Sequence, residues 1–308
     1  MSEKPSIVSL LPSSTEIACA LGFKDNIVGR SHECDYPGGL SSLPVLTAPK
    51  FNEFGTSIEI NDQVRDILKF GMSVYKLDVS LLESLKPDYI ITQSQCEVCA
   101  VSMSDVEAAV CELISSNPQI VNLEPNSLDD VYGDFMTVAK ALGVPERGEE
   151  LVKKIKQRLH EISALTSKLE NKPRVLTIEW LSPIMTAGNW VPEMIDIAGG
   201  ENLLSSAGEH SHYHEWEEVK ALDPDIIVIM PCGFDIDRTM KEIELLTALK
   251  GWSDLRAVKG GDVFVTDGNQ YFNRPGPRIM ESVEILAEIF HPESFQNKHL
   301  GTGYIRLA

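Results

Sequence analysis

The chain has 308 residues, of which 43% are hydrophobic and 24% charged, the composition of a folded globular protein. Its 46 acidic and 27 basic residues give a formal net charge of −19, which repels polyanions and excludes nucleic acid and anionic membranes as partners. The opening "MSEKPSIVSLLPSSTE" lacks the basic and apolar regions of a signal peptide, and no stretch approaches a membrane span. We therefore expect a cytoplasmic protein with no membrane anchor and mostly reduced cysteines, periplasmic or secreted only if a leader was removed.

The first predicted element is a short apolar strand that turns into a helix within "PSIVSLLPSSTEIACALG". Ser13 is the expected N-cap, Glu16 completes a capping box, and Gly22 ends the helix. Further strands are predicted at 27–29, 88–92, 119–122, 174–179, 226–230 and 262–266, with helical patterns between most of them. This alternation predicts an α/β fold with mainly parallel sheets.

Two segments of the second half repeat the pattern of segments in the first half. "LESLKPDYIIT" at 82–92 is echoed by "VKALDPDIIVI" at 219–229, and "PSSTEIACALG" at 12–22 is echoed by "VPEMIDIAGG" at 191–200. Because both pairs occur in the same order, we predict two related Rossmann-like lobes.

A long amphipathic helix is predicted over residues 145–170, between the repeated segments. An apolar stripe runs down one side of it, formed by Leu151, Ile155, Leu159, Ile162, Leu165 and Leu169. We predict an N-terminal lobe at 1–142, a linking backbone helix at 143–170 and a C-terminal lobe at 171–308.

The chain resembles the substrate-binding proteins of cobalamin and iron-chelate ABC importers, the class III or helical-backbone metal receptor type. The resemblance lies in "IVSLLPSSTEIACALG", in the "LKPDYIIT" and "LDPDIIVI" pair, and in the ending "VFVTDGNQYFNRPGPRIMESVEILAEIFHP". Its "RPGPR" segment is most similar to the cobalamin branch. The resemblance implies two α/β lobes joined by one long helix, with a small metal-chelate ligand in the cleft between them and strand-end loops facing that cleft.

Two departures from the family bear on partners. Members that serve an importer carry a signal peptide or lipid anchor, and they commonly present one carboxylate on each lobe, seven residues before the proline of each Pro-Asp turn. Glu217 has this position in the second lobe, but Ser80 has it in the first. Docking to an ABC permease is therefore doubtful, and the two departures favour an intracellular binding protein for a corrinoid or another metal chelate.

Metal-ligating side chains are concentrated in two segments of the first lobe. "RSHECDYPGG" at 30–39 supplies His32 and Cys34, and "QSQCEVCAVS" at 93–102 supplies Cys96 and Cys99. Such a set suits zinc, copper(I) or an iron centre. Alternatively, the Cys-x-x-Cys pair cycles between dithiol and disulfide, or the cysteines fill the core.

The corresponding loops of the second lobe are expected to be "EWLSPIMTAGNW" at 179–190 and "GEHSHYHEW" at 208–216. His212 and His214 are candidate metal ligands there, with a solvated polar loop as the alternative. The candidate contacts to a large flat ligand are Tyr36, Trp180, Trp190, Tyr213, Trp216 and Arg274. Core packing competes as the role of Trp180, and fixing the "NRPGPR" loop is the favoured role of Arg274.

An enzyme built on the same scaffold is the second hypothesis. Glu179 directly follows an apolar strand, so its carboxyl group is a candidate general base with a raised pKa, and Cys34 is the other catalytic candidate. With His32, Cys96 and Cys99 they would form a metal- or thiol-dependent site. Nucleotide-dependent and serine-hydrolase mechanisms find no support, because the Gly-x-Gly-x-x-Gly, Walker and Gly-x-Ser-x-Gly motifs are absent from the sequence.

Overall fold

The computed structural model describes residues 5–69, 73–94, 104–108 and 117–307. The chain divides into two compact units. Unit 1 comprises residues 1–55, 59–125 and 129–153, and unit 2 comprises residues 56–58, 126–128 and 154–308. Within the described ranges, every helix is too short or too polar to traverse a lipid bilayer.

Unit 1 is built on a parallel sheet. The strands of this part of the chain are β1 (Ile7–Ser9), β2 (Ile27–Arg30), β3 (Thr47–Pro49), β4 (Tyr75–Leu77), β5 (Tyr89–Gln93) and β6 (Gln119–Leu123). Four of them form the sheet in the order β2–β1–β5–β6, whereas β3 and β4 form a separate antiparallel pair. Ile7 of β1 lies opposite Ile27 on one side and Tyr89 on the other.

The helices of this part of the chain each contribute buried apolar residues. They are α1 (Pro12–Ala20), α2 (Ser57–Lys69), α3 (Val79–Leu85), α4 (Leu128–Ala141) and α5 (Pro145–Thr166). Leu82 of α3 packs with Val8 and Ile90 of the sheet in the core of unit 1. The chain passes from unit 1 to unit 2 inside α5, between Lys153 and Lys154.

Unit 2 has a five-stranded sheet in the order β13–β12–β11–β7–β9, parallel except for its last strand. Its strands are β7 (Arg174–Ile178), β8 (Met185–Thr186), β9 (Glu201–Asn202), β10 (His212–Tyr213), β11 (Ile226–Ile229), β12 (Val263–Thr266) and β13 (Tyr304–Arg306). Its helices are α6 (Val191–Ile197), α7 (Trp216–Ala221), α8 (Ile236–Met240), α9 (Glu244–Thr247), α10 (Arg256–Gly260) and α11 (Ile279–Phe290). The strands β8 and β10 form a short antiparallel pair outside the main sheet.

The two sheets share one strand order. In unit 1 the first strand, β1, lies between the second and the third, and in unit 2 the first strand, β7, has the same position. The echoed Pro-Asp segments form the turn before the third strand in each unit, where Lys86 (φ 46°) and Asp223 (φ 43°) adopt left-handed backbone conformations. The prediction of an α/β fold with mainly parallel sheets is confirmed.

Two predicted helix boundaries are wrong. Ser13 lies inside α1, and the N-cap is Leu11, because Pro12 takes the first helical position, where a missing N–H costs nothing. The long helix ends at Thr166 and not at residue 170, since the Lys168 and Leu169 N–H groups turn to the carbonyls of Leu165 and Thr166, three residues back.

Candidate functional site

Five of the predicted site residues lie directly after strands of the two mainly parallel sheets. In unit 1, residues 31–36 follow β2, and in unit 2 Glu179 and Trp180 follow β7. Cys232 follows the neighbouring strand β11, and its N–H donates to the Glu179 carbonyl at 3.2 Å. Ligands of open α/β sheets bind outside the carboxyl ends of the strands, so both edges are candidate binding surfaces.

His32 is held by a hydroxyl group of the neighbouring pair of strands. Its Nδ1 lies 2.7 Å from Thr47 Oγ1, and its backbone N–H donates to the same oxygen at 3.0 Å. The Tyr75 ring lies 5.4 Å from the imidazole, and the Tyr75 hydroxyl donates to Glu33. Burial, reinforced by the charge of Arg30, lowers the pKa of His32 to about 4, so the imidazole is neutral at physiological pH.

Cys34 lies under this loop, with only 2% of its surface exposed. Its sulfur accepts a hydrogen bond from Thr15 Oγ1 at 3.0 Å. The Arg30 guanidinium fixes the loop by donating to the carbonyl oxygens of Ser31 and Cys34. Tyr36 precedes a cis peptide bond and is 43% exposed, so its ring is available for contact.

The predicted Cys/His metal cluster is described only in part. Cys96 and Cys99 lie outside the described residues. Among the residues that are described, no three His, Cys, Asp or Glu side chains are placed to hold a metal ion together. The Cys-x-x-Cys pair therefore stays a prediction, with His32 and Cys34 the two described members of the set.

The two predicted loops of unit 2 come together. His212 pairs with Thr186, and Tyr213 pairs with Met185, in the β8–β10 ladder. Gly188 lies so close to the other loop that a Cβ atom there would be 2.4 Å from the Glu209 carbonyl oxygen. Only glycine allows this approach, so residues 185–189 and 209–213 form one surface feature, which we call the β8–β10 loop pair.

Glu179 lies at the base of this loop pair and links its two strands through hydrogen bonds. Ser211 Oγ donates to Glu179 Oε2 at 2.6 Å and accepts the Gly188 N–H at 3.0 Å. Burial raises the pKa of Glu179 to about 7, although the Ser211 and Gly188 hydrogen bonds lower it. The carboxyl group can therefore change its protonation state near neutral pH, and its role as a general base stays a prediction.

Trp180 packs against the segment that follows β11, with its ring tilted by 54° relative to that of Phe234. Its ring lies 5.2 Å from that of Phe234. The guanidinium carbon of Arg238, a residue of α8, lies 4.5 Å from the centre of the Phe234 ring. The Trp180 indole nitrogen is buried and has no hydrogen-bond partner in the part of the chain that the structure describes. An unpaired buried donor costs about 1–3 kcal/mol, a cost that an added acceptor would remove.

Two other tryptophans are engaged within unit 2. Trp190 is 5% exposed, and its indole N–H donates to the Phe272 carbonyl at 2.7 Å. Trp216 donates to the Lys250 carbonyl at 2.9 Å and its ring lies 6.0 Å from that of Trp252.

The remaining predicted residues differ in their surroundings. Arg274 is 7% exposed and donates to Asn269 Oδ1 at 2.9 Å, a contact within its own loop. Tyr213 is 58% exposed and His212 is also exposed. His214 is more enclosed, with Nδ1 3.2 Å from Glu218 Oε2.

Four site residues carry no recognisable signal in the sequence. Thr47, Gly188, Ser211 and Phe234 each contact a predicted site residue. Ser211 has only an indirect signal, its position between two of the three histidines of "HSHYH". Thr47 has none, because fifteen residues and a loop separate it from His32.

Comparison with known proteins supports the resemblance seen in the sequence. A family model described as "Periplasmic binding protein" matches residues 7–270. An uncharacterized ABC transporter substrate-binding lipoprotein of Bacillus subtilis, YvrC, is 28% identical over 301 residues, which cover 96% of this chain and 82% of that protein. A vitamin B12-binding protein of Vibrio cholerae is 24% identical over 282 residues, covering 90% of this chain and 86% of that protein.

Solved structures have the same fold. A periplasmic heme-binding protein from Pseudomonas aeruginosa matches with a TM-score of 0.71 and 20% identity, covering 94% of each chain. The periplasmic vitamin B12 binding protein BtuF of Vibrio cholerae matches with a TM-score of 0.66 and 21% identity, covering 93% of this chain and 96% of that one. At such identities the likeness shows the fold alone. The match over residues 7–270 shows that the chain belongs to the periplasmic binding protein family.

Proposed function

We propose that the protein binds a metal chelate, with a cobalamin-like corrinoid as the first candidate and heme or an iron chelate as the others. The family match over residues 7–270 carries this proposal. Relatives that align with at least 90% of the chain include a lipoprotein named as an ABC transporter substrate-binding protein and proteins named as vitamin B12-binding. Their names supply the ligand class, which the residues of this chain support but do not define.

The chemistry at the strand ends supports a large, flat and partly apolar ligand. Unit 2 offers the Trp180–Phe234 pair and the exposed Tyr213 ring on the β8–β10 loop pair. Unit 1 offers the exposed Tyr36 ring and the half-buried, neutral imidazole of His32. Aromatic faces bury macrocycle surface, while a few polar groups fix its orientation.

A role in an ABC importer would use the surface of unit 2. Glu217, the carboxylate that the family resemblance assigns to permease docking, lies in the first turn of α7. Its side chain is 73% exposed and pairs with Lys220 at 2.5 Å. Ser80 has the equivalent place at the start of α3 in unit 1 and is exposed but uncharged. We infer that a permease contact would depend mainly on Glu217.

Titration with three defined ligands tests the proposed function. Purified protein would be titrated with aquocobalamin, cyanocobalamin and ferric heme, and binding followed by calorimetry and visible absorption. We expect one-to-one binding of at least one of them with a Kd below about 10 μM. Binding of none of the three at tens of micromolar protein contradicts the proposal.

A further inference from the structure

The hydrogen bonds around Thr47 determine which nitrogen of His32 carries its proton. The Thr47 hydroxyl has a single proton, and Thr47 Oγ1 is placed to donate it to Ser31 Oγ at 3.0 Å. Thr47 Oγ1 therefore has only lone pairs to offer to His32. One accepts the His32 backbone N–H at 3.0 Å, and the other faces Nδ1 at 2.7 Å.

This arrangement leaves one tautomer for the neutral imidazole. With the Thr47 proton used in the bond to Ser31, Nδ1 carries a proton of its own and donates it to Thr47, since a lone pair on Nδ1 would face a lone pair on the oxygen. Ser31 Oγ, at 3.5 Å, is too distant to compete for the ring nitrogen. The lone pair is consequently on Nε2, which makes no hydrogen bond within the described ranges of the chain.

An imidazole whose Nδ1–H is held by a neighbouring oxygen is prepared to bind a metal through Nε2. The partner of the first nitrogen fixes both the tautomer and the orientation of the ring. Rotation of His32 is further limited by the Tyr75 ring, 5.4 Å away, and by its own backbone bond to Thr47. The side chain is half-buried, so its orientation is fixed while one edge remains accessible.

We propose that His32 Nε2 is an axial ligand to the metal of the bound chelate. The proposal rests on the proposed function, and it narrows the ligand to corrinoids and porphyrins with an exchangeable axial site. In the described part of unit 1, His32 belongs to no group of three His, Cys, Asp or Glu side chains placed to hold a metal ion, and the Cys34 sulfur is buried and accepts a hydrogen bond from Thr15. A single protein ligand suits a metal whose four equatorial positions are filled by the macrocycle.

The coordination step is a simple ligand exchange. The Nε2 lone pair forms the bond to cobalt(III) or iron(III), and the axial water leaves with its own electron pair. No proton moves and the oxidation state of the metal stays the same. A chelate whose axial positions are both occupied by cyanide cannot undergo this exchange and should bind, if at all, without a change in its visible spectrum.

Visible spectroscopy of two corrinoids tests this assignment. Wild-type protein would be mixed with diaquocobinamide and with dicyanocobinamide, and the first spectrum compared with that of diaquocobinamide plus free imidazole. We expect the protein-bound spectrum to match the imidazole reference. His32→Ala should abolish this shift, and added imidazole should restore it, whereas His160→Ala, on the exposed face of α5, should leave it unchanged.

A pair of variants at residue 47 tests the role of the hydroxyl group. Thr47→Ser keeps the hydroxyl and should retain the wild-type affinity for diaquocobinamide. Thr47→Val has a similar shape but cannot accept the Nδ1–H, so we expect its affinity to fall about 10- to 100-fold. Thermal unfolding of both variants separates this loss from misfolding.

The outcomes separate the inference from the proposed function. Binding of diaquocobinamide with an unshifted spectrum, or with a shift that persists in His32→Ala, overturns the axial ligand and leaves the binding function intact. Failure of the wild-type protein to bind aquocobalamin, cyanocobalamin, ferric heme and both cobinamides overturns both.

Discussion

The carboxylate of Asp88 accepts the backbone N–H of Ser6 at 2.7 Å, which fastens the start of β1 to the turn before β5. The Ser6 backbone and hydroxyl groups hold the pKa of Asp88 below its usual value. In unit 2 the equivalent aspartate, Asp225, accepts the N–H of Arg174 at 2.9 Å, directly at the start of β7. The same turn thus joins the first and third strands of both sheets.

Neutralising these aspartates should destabilise the protein only where the native carboxylates are charged. We expect Asp225→Asn to lower the free energy of unfolding by about 1 kcal/mol at pH 7, and the more exposed Asp88→Asn by less. The pKa of each aspartate is lowered by folding, so the stabilisation is present above the usual pKa of 3.8 and lost as pH falls below it. Urea unfolding at pH 7 and pH 3 checks this, and an equal difference at both values would contradict it.

Glu284 on α11 links the C-terminal segment to α5 and should give stability a bell-shaped dependence on pH. His299 and then Arg158 hold the pKa of Glu284 at about 2, and Glu284 in turn raises the pKa of His299. Arg158 lies 2.5 Å from the Glu284 carboxylate and His299 lies 3.3 Å from it. The contribution of Glu284 is lost as pH falls from 4.5 towards 2, and that of His299 is lost as pH rises through its raised pKa.

His299→Gln tests the upper arm of this dependence. The variant should be less stable than wild type at pH 6, and the difference should shrink as pH rises to 9. His160→Gln, a change at an exposed position, is the matched control and should show no such trend. Melting temperatures measured across this range check the expectation, and a pH-independent difference for His299→Gln would count against it.

Gly188→Ala should disrupt the β8–β10 loop pair. The added Cβ would meet the Glu209 carbonyl oxygen at 2.4 Å and Ser211 N at 2.7 Å, both backbone atoms of the facing loop. We expect a loss of about 1–3 kcal/mol in the free energy of unfolding. Gly133→Ala is the control, because Gly133 lies within α4 with open space around its Cα, and the change should stabilise the protein by about 0.5–1 kcal/mol. Equal effects of the two substitutions would show that the close approach at Gly188 is unimportant.

Glu179→Gln should stabilise unit 2 at alkaline pH. Folding raises the pKa of Glu179 from 4.5 to about 7, so the stability linked to its neutral form is present below pH 4.5 and lost as pH rises through 7. The neutral amide avoids burying a charge, and we expect the variant to gain on the order of 2 kcal/mol relative to wild type between pH 5 and pH 8. Amide hydrogen exchange of residues 208–214 at both pH values checks whether the gain in stability is local to the β8–β10 loop pair. Glu209→Gln, an exposed carboxylate in the same loop, should have no such effect.

The sequence predicts the sheets well because their strands are continuous apolar runs. The predicted strand at 226–230 is observed as Ile226–Ile229, and the one at 119–122 as Gln119–Leu123. The clustering of Glu179, Trp180 and Tyr213 is also anticipated, since loops after parallel strands meet at one edge of the sheet. The contacts that join these residues are not predictable from the sequence, because they depend on two-residue strands and on the hydroxyl group of Ser211.

The same limit applies to His32. His32 and the neighbouring Cys34 are recognisable in the sequence as potential metal ligands, but the sequence does not reveal that Thr47 is hydrogen-bonded to one ring nitrogen of His32. Nor does it reveal that Thr15 occupies the sulfur of Cys34. Contacts between residues distant along the chain have no periodicity to report them, whereas periodicity is what identifies strands and helices.

The common strand order and the matching Pro-Asp turns have an evolutionary consequence. Duplication of an ancestral half-gene, followed by divergence of the copies, would account for both features. The first strand and first helix are connected by two residues, Leu10 and Leu11, in one copy, but by residues 179–190 in the other. The longer connection carries Trp180 and Gly188, and shortening it should spare the sheet while removing the surface that these residues form.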